Sequence, residues 1–365
     1  MNRSPHDARY SRLWKSLLVG RDDISWAGAS AGDRGFCFGT EDGAVFWTNF
    51  DGVQYGKQLH NATLDNYDEA INGVAFNLGE TAVTSRSGSA VWKNADSKSD
   101  KRKGGRVGVG SHGVVAAHNG AFFLPLNIGG LMSIHKDGPS HFSTFVSGSE
   151  AMDLNVYRIV SLATTFGRQV VGLAARHGGL AMGYYKPGDM LDLRTLELPG
   201  ADFIDICPID NPEYPSAAYA LTRDNHILAL DDVLNSAKPV PLRYGSMVGV
   251  AYRILSAGDF VFVLTSMALH VIHKLVDFSS GAFRVNRRTS NTSFPLDAID
   301  MNLVGNRWLM VLMADRVLRL DLNELARDLA SEFDVKDSDV TDVWANATIK
   351  ERKLIHHRSD FALVK

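Results

Sequence analysis

Residues 248–275 read VGVAYRILSAGD, FVFVLTSM, ALHVIHKL. Three short runs rich in β-branched, aromatic and aliphatic residues are parted by Gly-Asp and Ser-Met breaks, the pattern of consecutive strands joined by tight turns. The first two runs are almost wholly apolar, as expected of strands covered on both faces by neighbouring sheets. The third is more polar. Such a unit cannot bury both of its faces alone, so the chain should carry further copies of it.

It does, on both sides. Upstream lie DFIDICPIDNPEYPS, AAYALTRDN, HILALDD (202–232) and YRIVSLATTFG, RQVVGLAARHGG, LAMGYYKPG (157–188). Earlier still are GVVAAHNG, AFFLPLN, GLMSIHKDG (113–138), INGVAFNLGE, TAVTSRSG, SAVWKN (71–94) and DISWAGASAGD, RGFCFGTED, GAVFWTNFDG (23–52). Downstream comes LDAIDMNLVGN, RWLMVLMAD, RVLRLDL (296–322). The first strands begin near Ile24, Ile71, Gly113, Tyr157, Phe203, Val248 and Asp297, at separations of 47, 42, 44, 46, 45 and 49 residues. A repeat of about 40–50 residues suits one four-stranded blade. The expected fold is therefore all-β: a single closed β-propeller of about seven four-stranded blades, with a short helix near the last blade. One domain spans 1–365, with blades over 21–345. Closure removes exposed sheet edges. RLWKSLLV (12–19), within residues 1–20, is one candidate for the closing strand, and KLIHHRSDFALV (353–364), within 346–365, is the other.

Two turns carry a family likeness. Asp42-Gly43-Ala44-Val45-Phe46-Trp47 and Gly88-Ser89-Ala90-Val91-Trp92 each set Gly at a tight turn and Trp four residues later. Across roughly residues 20–345 the chain resembles the WD40-like and quinoprotein-like propellers. That resemblance implies a non-enzymatic interaction platform with one or more protein partners, serving as an accessory subunit of a larger cytoplasmic assembly.

Composition narrows the function classes. The 365 residues carry a net charge of −3, so no overall field draws the chain to nucleic acid or an anionic membrane. No apolar run reaches membrane-spanning length. The first residues, MNRSPHDARYSRLWKSLLVGRDD, are charged throughout, unlike a secretory signal. The two cysteines, Cys37 and Cys207, sit in apolar runs and lack disulfide or metal-ligand spacing. A cytoplasmic protein without a cofactor is the expectation.

Three features merit a functional reading. Asp23, Glu69, Asp202, Asp205, Asp297 and Asp300 recur where first strands begin, ends that a propeller gathers around one mouth of its channel. Carboxylates there would hold Ca²⁺ or Mg²⁺ through oxygen ligands, or serve a metal-dependent hydrolase or lyase. Their alternative role is to cap turns. Lys98, Lys101, Arg102, Lys103 and Arg106 lie in the basic run 93–106, which reads as a loop between outer strands, and Arg287 and Arg288 form a second basic cluster. Both clusters are candidate partner contacts, and the 93–106 run has no aromatic residue to stack on bases. Finally, DLNELARDLASEF (321–333) sets Leu322, Leu325, Ala326, Leu329 and Phe333 on one helical stripe, for packing on the rim or for docking a partner. The matches Gly108–Gly113 to G-x-G-x-x-G and Gly28–Gly32 to G-x-S-x-G both lead into strands rather than helices, which removes their chemistry.

Overall fold

A computed structural model describes residues 14–18, 24–29, 36–48, 54–60, 70–77, 80–85, 89–92, 101–105, 115–116, 121–125, 131–135, 141–143, 146–147, 150–151, 156–161, 169–175, 179–185, 192–197, 202–209, 218–230, 240–241, 247, 249–257, 260–266, 269–273, 290–292, 298–304, 307–313, 316–325 and 327. These residues are overwhelmingly strand. In chain order come β1 (Trp14–Leu18), then sheet one with β2 (Ile24–Ala29), β3 (Phe36–Thr40), β4 (Ala44–Thr48) and β5 (Gln54–His60). Sheet two holds β6 (Gly73–Asn77), β7 (Glu80–Thr84), β8 (Ser89–Trp92) and β9 (Lys101–Gly105). Sheet three holds β10 (Val115–Ala116), β11 (Ala121–Pro125), β12 (Leu131–His135) and β13 (His141–Ser143), and is followed by a small hairpin, β14 (Val146–Ser147) with β15 (Glu150–Ala151).

Sheet four holds β16 (Val156–Ser161), β17 (Gln169–Ala175), β18 (Gly179–Tyr185) and β19 (Asp192–Glu197). Sheet five holds β20 (Phe203–Pro208), β21 (Ala218–Thr222), β22 (Ile227–Leu230) and β23 (Val240–Pro241). Sheet six holds β24 (Ala251–Ala257), β25 (Phe260–Thr265), β26 (Leu269–His273) and β27 (Ser290–Thr292). The last strands are β28 (Ala298–Val304), β29 (Trp308–Met313) and β30 (Arg316–Asp321).

Among the described residues these strands make seven four-stranded antiparallel sheets, six of which are simple meanders in chain order. The seventh runs β28-β29-β30-β1, with β1 laid against β30 in the register Trp14↔Leu320 to Leu18↔Arg316. First strands touch in cyclic order: β2 meets β6, then β10, β16, β20, β24 and β28 follow, and β28 meets β2. KLIHHRSDFALV lies outside the described residues.

Burial follows the sequence pattern. All of β21 and β25 is buried, matching their unbroken apolar character. Phe260, Phe262, Leu264 and Leu269 of sheet six pack with Leu309, Val311 and Leu320 of sheet seven. Leu322 and Leu325 join that cluster from the helical residues 322–325. Asp321 starts this turn of helix: its Oδ1 accepts from the Asn323 amide at 2.9 Å and the Glu324 amide at 3.4 Å, an N-cap. Residue 327 is also helical, whereas Ala326, Leu329 and Phe333 lie outside the described residues.

One irregularity recurs. The pairing of β2, β16, β20, β24 and β28 with the next strand skips one residue near the start, between Ile24 and Trp26, Val156 and Arg158, Phe203 and Asp205, Ala251 and Arg253, and Ala298 and Asp300. Each is a β-bulge, which bends the strand and re-aims a side chain.

Candidate functional site

The starts of the first strands share one face with the turns between second and third strands. Those turns repeat a local design. In sheet one Thr40 Oγ1 accepts from the Ala44 amide at 2.9 Å and donates to Asp42 Oδ1, and the Gly43 amide donates to the Thr40 carbonyl at 3.2 Å. In sheet five Thr222 Oγ1 accepts from the His226 amide at 3.0 Å and donates to Asp224 Oδ1 at 2.5 Å, and the Asn225 amide reaches the Thr222 carbonyl at 3.0 Å. The fourth turn residue sits in the left-handed region, Gly43 at φ 81° and Asn225 at φ 65°. Glycine occupies that region without penalty, and asparagine tolerates it best among the other residues.

These turns also reach the next sheet. The Ile71 amide, just ahead of β6, donates to the Thr40 carbonyl at 3.0 Å. Asn225 Nδ2 donates to the Gly249 carbonyl and its Oδ1 accepts from the Ala251 amide, both at 2.8 Å, which pins the start of β24. Glu41, Asp42, Arg223, Asp224, His226 and Val250 are left exposed on this face. Asp224 is held below the usual carboxylate range by the Thr222 hydroxyl, against an opposing effect of burial and with help from His226, whose Nδ1 lies 2.7 Å away.

Beneath the exposed face lies a buried ion cluster. Arg253 Nε donates to Asp300 Oδ1 at 2.5 Å, and Nη1 donates to both oxygens of Asp205 at 3.3 and 3.2 Å. Nη2 reaches the Met301 carbonyl and Asn302 Oδ1, both at 3.4 Å, and the Ile254 amide donates to Asp205 Oδ2 at 2.7 Å. The Arg253, Asp205 and Asp300 side chains are at most 5% exposed. All three stand at the bulges of β20, β24 and β28, so one guanidinium ties three consecutive sheets together. The planar fork of arginine suits this role, because its five donors meet several acceptors at once. Burial and the nearby Asp300 charge push the Tyr252 hydroxyl up to about 12.

The carboxylates singled out in the sequence thus separate. Asp205 and Asp300 meet at Arg253, whose guanidinium is a positive charge beside both. Asp202 lies at the surface, accepting from Arg223 Nε at 2.7 Å. Asp23, Glu69 and Asp297 lie outside the described residues. Among the described residues, no three His, Cys, Asp or Glu side chains are grouped as metal ligands. Lys101, Arg102 and Lys103 belong to β9, with Lys101 opposite Trp92 and Lys103 opposite Val91, so part of the expected 93–106 loop is an outer strand. Lysine at a sheet edge discourages further pairing, and the compositional polarity that suggested a loop serves an edge equally well. Lys98, Arg106, Arg287 and Arg288 lie outside the described residues.

Sequence reasoning missed Arg253. Its signal was a single basic residue inside the apolar run AYRIL, set 48 residues from Asp205 and 47 from Asp300. Trp308 is half-buried, with the guanidinium carbons of Arg307 and Arg319 at 4.4 and 4.2 Å from its ring centre. Cys207 and His270 are buried in their strands.

Solved structures match this arrangement over most of the chain. The WD40 β-propeller domain of Doa1 aligns with a TM-score of 0.59 at 12% identity, covering 84% of this chain and 96% of that one. The chain has the β-propeller fold. The β-propeller domain of Myceliophteria thermophila Cps50 (Swd1) aligns at 0.62 and 11%, covering 84% and 99%, and YCF48 from Cyanidioschyzon merolae at 0.56 and 11%, covering 85% and 98%. No protein-family model and no curated protein matches the sequence. At such identities the likeness carries architecture and not activity.

Proposed function

We propose that this propeller is a non-enzymatic protein-interaction platform, an accessory subunit of a larger cytoplasmic assembly. In this reading it is one domain of seven blades, closed by β1 in the last sheet. The cyclic contacts of the first strands and the β1–β30 ladder support that closure. The observation that carries the function is the division of polar groups on the turn face. The buried carboxylates Asp205 and Asp300 are engaged by Arg253, whereas Arg223, Asp224 and His226 stand in solvent on rigid turns. Rigid turns that display charged side chains suit recognition of a partner, since little ordering entropy is lost on binding. A related fold is known in such a role: YCF48 has been solved bound to a D1 peptide. The basic stretch around Lys101–Lys103 and the helix after β30 are further candidate contacts.

Affinity capture of the tagged protein from its native cell, with and without the Arg223→Glu/His226→Glu pair, tests this reading. Stoichiometric recovery of specific proteins that the double variant loses supports it. Capture of none, together with a rise in melting temperature on adding Ca²⁺ or Mg²⁺, would overturn it in favour of an acidic metal site.

A further inference from the structure

The sheet-five turn holds a three-residue relay. Thr222 Oγ1 donates to Asp224 Oδ1 at 2.5 Å, and Asp224 Oδ2 lies 2.7 Å from His226 Nδ1. The Thr222 hydroxyl, helped by His226, favours the ionised form of Asp224. An ionised carboxylate only accepts, so the proton between the two residues belongs to His226 Nδ1. In the neutral ring the other nitrogen, Nε2, then carries a lone pair. The His226 and Asp224 side chains are 62% and 70% exposed, so the relay offers acceptors to solvent. Arg223, the cation of this turn, is paired with Asp202.

An apolar knob stands beside the relay. Among the described residues Val250 is the one large apolar side chain left exposed, at 61%. Asn225, between Asp224 and His226 in sequence, bonds the Gly249 carbonyl and the Ala251 amide on either side of it. Ser266 of the sheet-six turn fixes the same residue again: its Oγ accepts from the Val250 amide at 3.1 Å, and its amide donates to the Val250 carbonyl at 2.9 Å. A knob held this firmly loses little freedom when it is covered.

We propose that this corner of the turn face binds a lysine side chain of a partner protein, with its methylene stem over Val250 and its ammonium donating to Asp224 and His226 Nε2. Lysine is amphipathic in the matching order, an apolar stem that ends in a compact cation with three donors and no acceptor. Asp224 supplies the counter-charge, and the relay fixes which nitrogen of His226 accepts. The inference rests on the platform reading and names the chemistry of its partner.

Isotope-edited NMR of the full chain, titrated with the capped tripeptide acetyl-Gly-Lys-Gly-amide, tests it. The expected result is saturable shifts of the Val250 methyl and His226 ring signals in the millimolar range. Affinity should fall about fivefold in Asp224→Asn and about threefold in Val250→Ser. The same peptide with norleucine or acetylated lysine at its centre should leave both signals unmoved. Absent shifts, or equal shifts with norleucine, would overturn the inference. So would a response confined to acetyl-Gly-Glu-Gly-amide, which would point instead to an anionic partner held by Arg223. The comparison of peptides on the unaltered protein decides even where a variant does not fold. Affinity capture reads the platform separately, so partners recovered while the lysine peptide fails sink this inference alone.

Discussion

The junction between sheets one and two and the junctions among sheets five to seven solve the same packing problem differently. In the first, contact is close and apolar. Gly39 of β3 approaches Ile71 so nearly that an added Cβ would lie 2.2 Å from the Ile71 Cβ, and the Thr40 carbonyl accepts from the Ile71 amide. In the second, long polar side chains bridge the gap, with Asn225 reaching β24 and Arg253 joining Asp205 to Asp300. The turns differ in step. The sheet-one turn uses Gly43 for its left-handed residue, and the sheet-five turn uses Asn225, which accepts some backbone strain and gains two bonds to the next sheet. A blade repeat therefore fixes where neighbours meet, and the residues at the meeting point choose between shape and charge.

The sharpest way to break this contrast is Arg253→Met. It leaves Asp205 and Asp300 buried without their shared cation, a loss of about 3–5 kcal/mol that chemical denaturation will read. Sheets one and two should feel it only through global unfolding. Gly39→Ala strikes the other region, and forcing Ile71 aside should cost about 1–3 kcal/mol by the same measurement. If it costs nothing, the close approach is not what holds that junction. Smaller still is Asn225→Gly. It removes two hydrogen bonds of about 1 kcal/mol each and relieves the φ strain, leaving a net loss of about 1 kcal/mol. Hydrogen exchange should then quicken at Ala251 and not at Ile71.

The mildest probe is pH. Below pH 10 the Tyr252 hydroxyl is protonated in folded and unfolded chains alike. Between its ordinary value of 10.0 and its raised value of about 12 only the folded chain keeps the proton, so stability falls as pH climbs through that window. Tyrosinate absorbance should show a late-titrating component that Tyr252→Phe removes. Arg253→Met should move that late titration, since it alters the surroundings of Asp300.

Much of the architecture was legible because first and second strands are apolar on both faces, a property that only stacked sheets demand. Phe203 opens its strand where the repeat places it, and the other first strands begin within three residues of expectation. The hairpin of β14 and β15 was not legible, since its short polar sequence resembles a connecting loop. Nor was the strand over Lys101–Gly105, where edge protection and loop solvation leave the same composition. At the site, Asp205 and Asp300 were visible as carboxylates near strand starts. Their true partner was not, because a bulge decides which way a strand residue is aimed, and a skipped residue leaves no mark in hydrophobic pattern. Only the alternation of sign at a constant interval betrays it.

The β1–β30 ladder has a consequence for how the chain is made. Leu18 leaves the ribosome long before Arg316, the residue it finally faces. At ordinary rates of synthesis that interval is on the order of 15–60 s. For all that time the first strand of the nascent protein has no edge to pair with, so completion must wait on the last sheet, and any stall in translation prolongs the exposure of a sticky segment to chaperones.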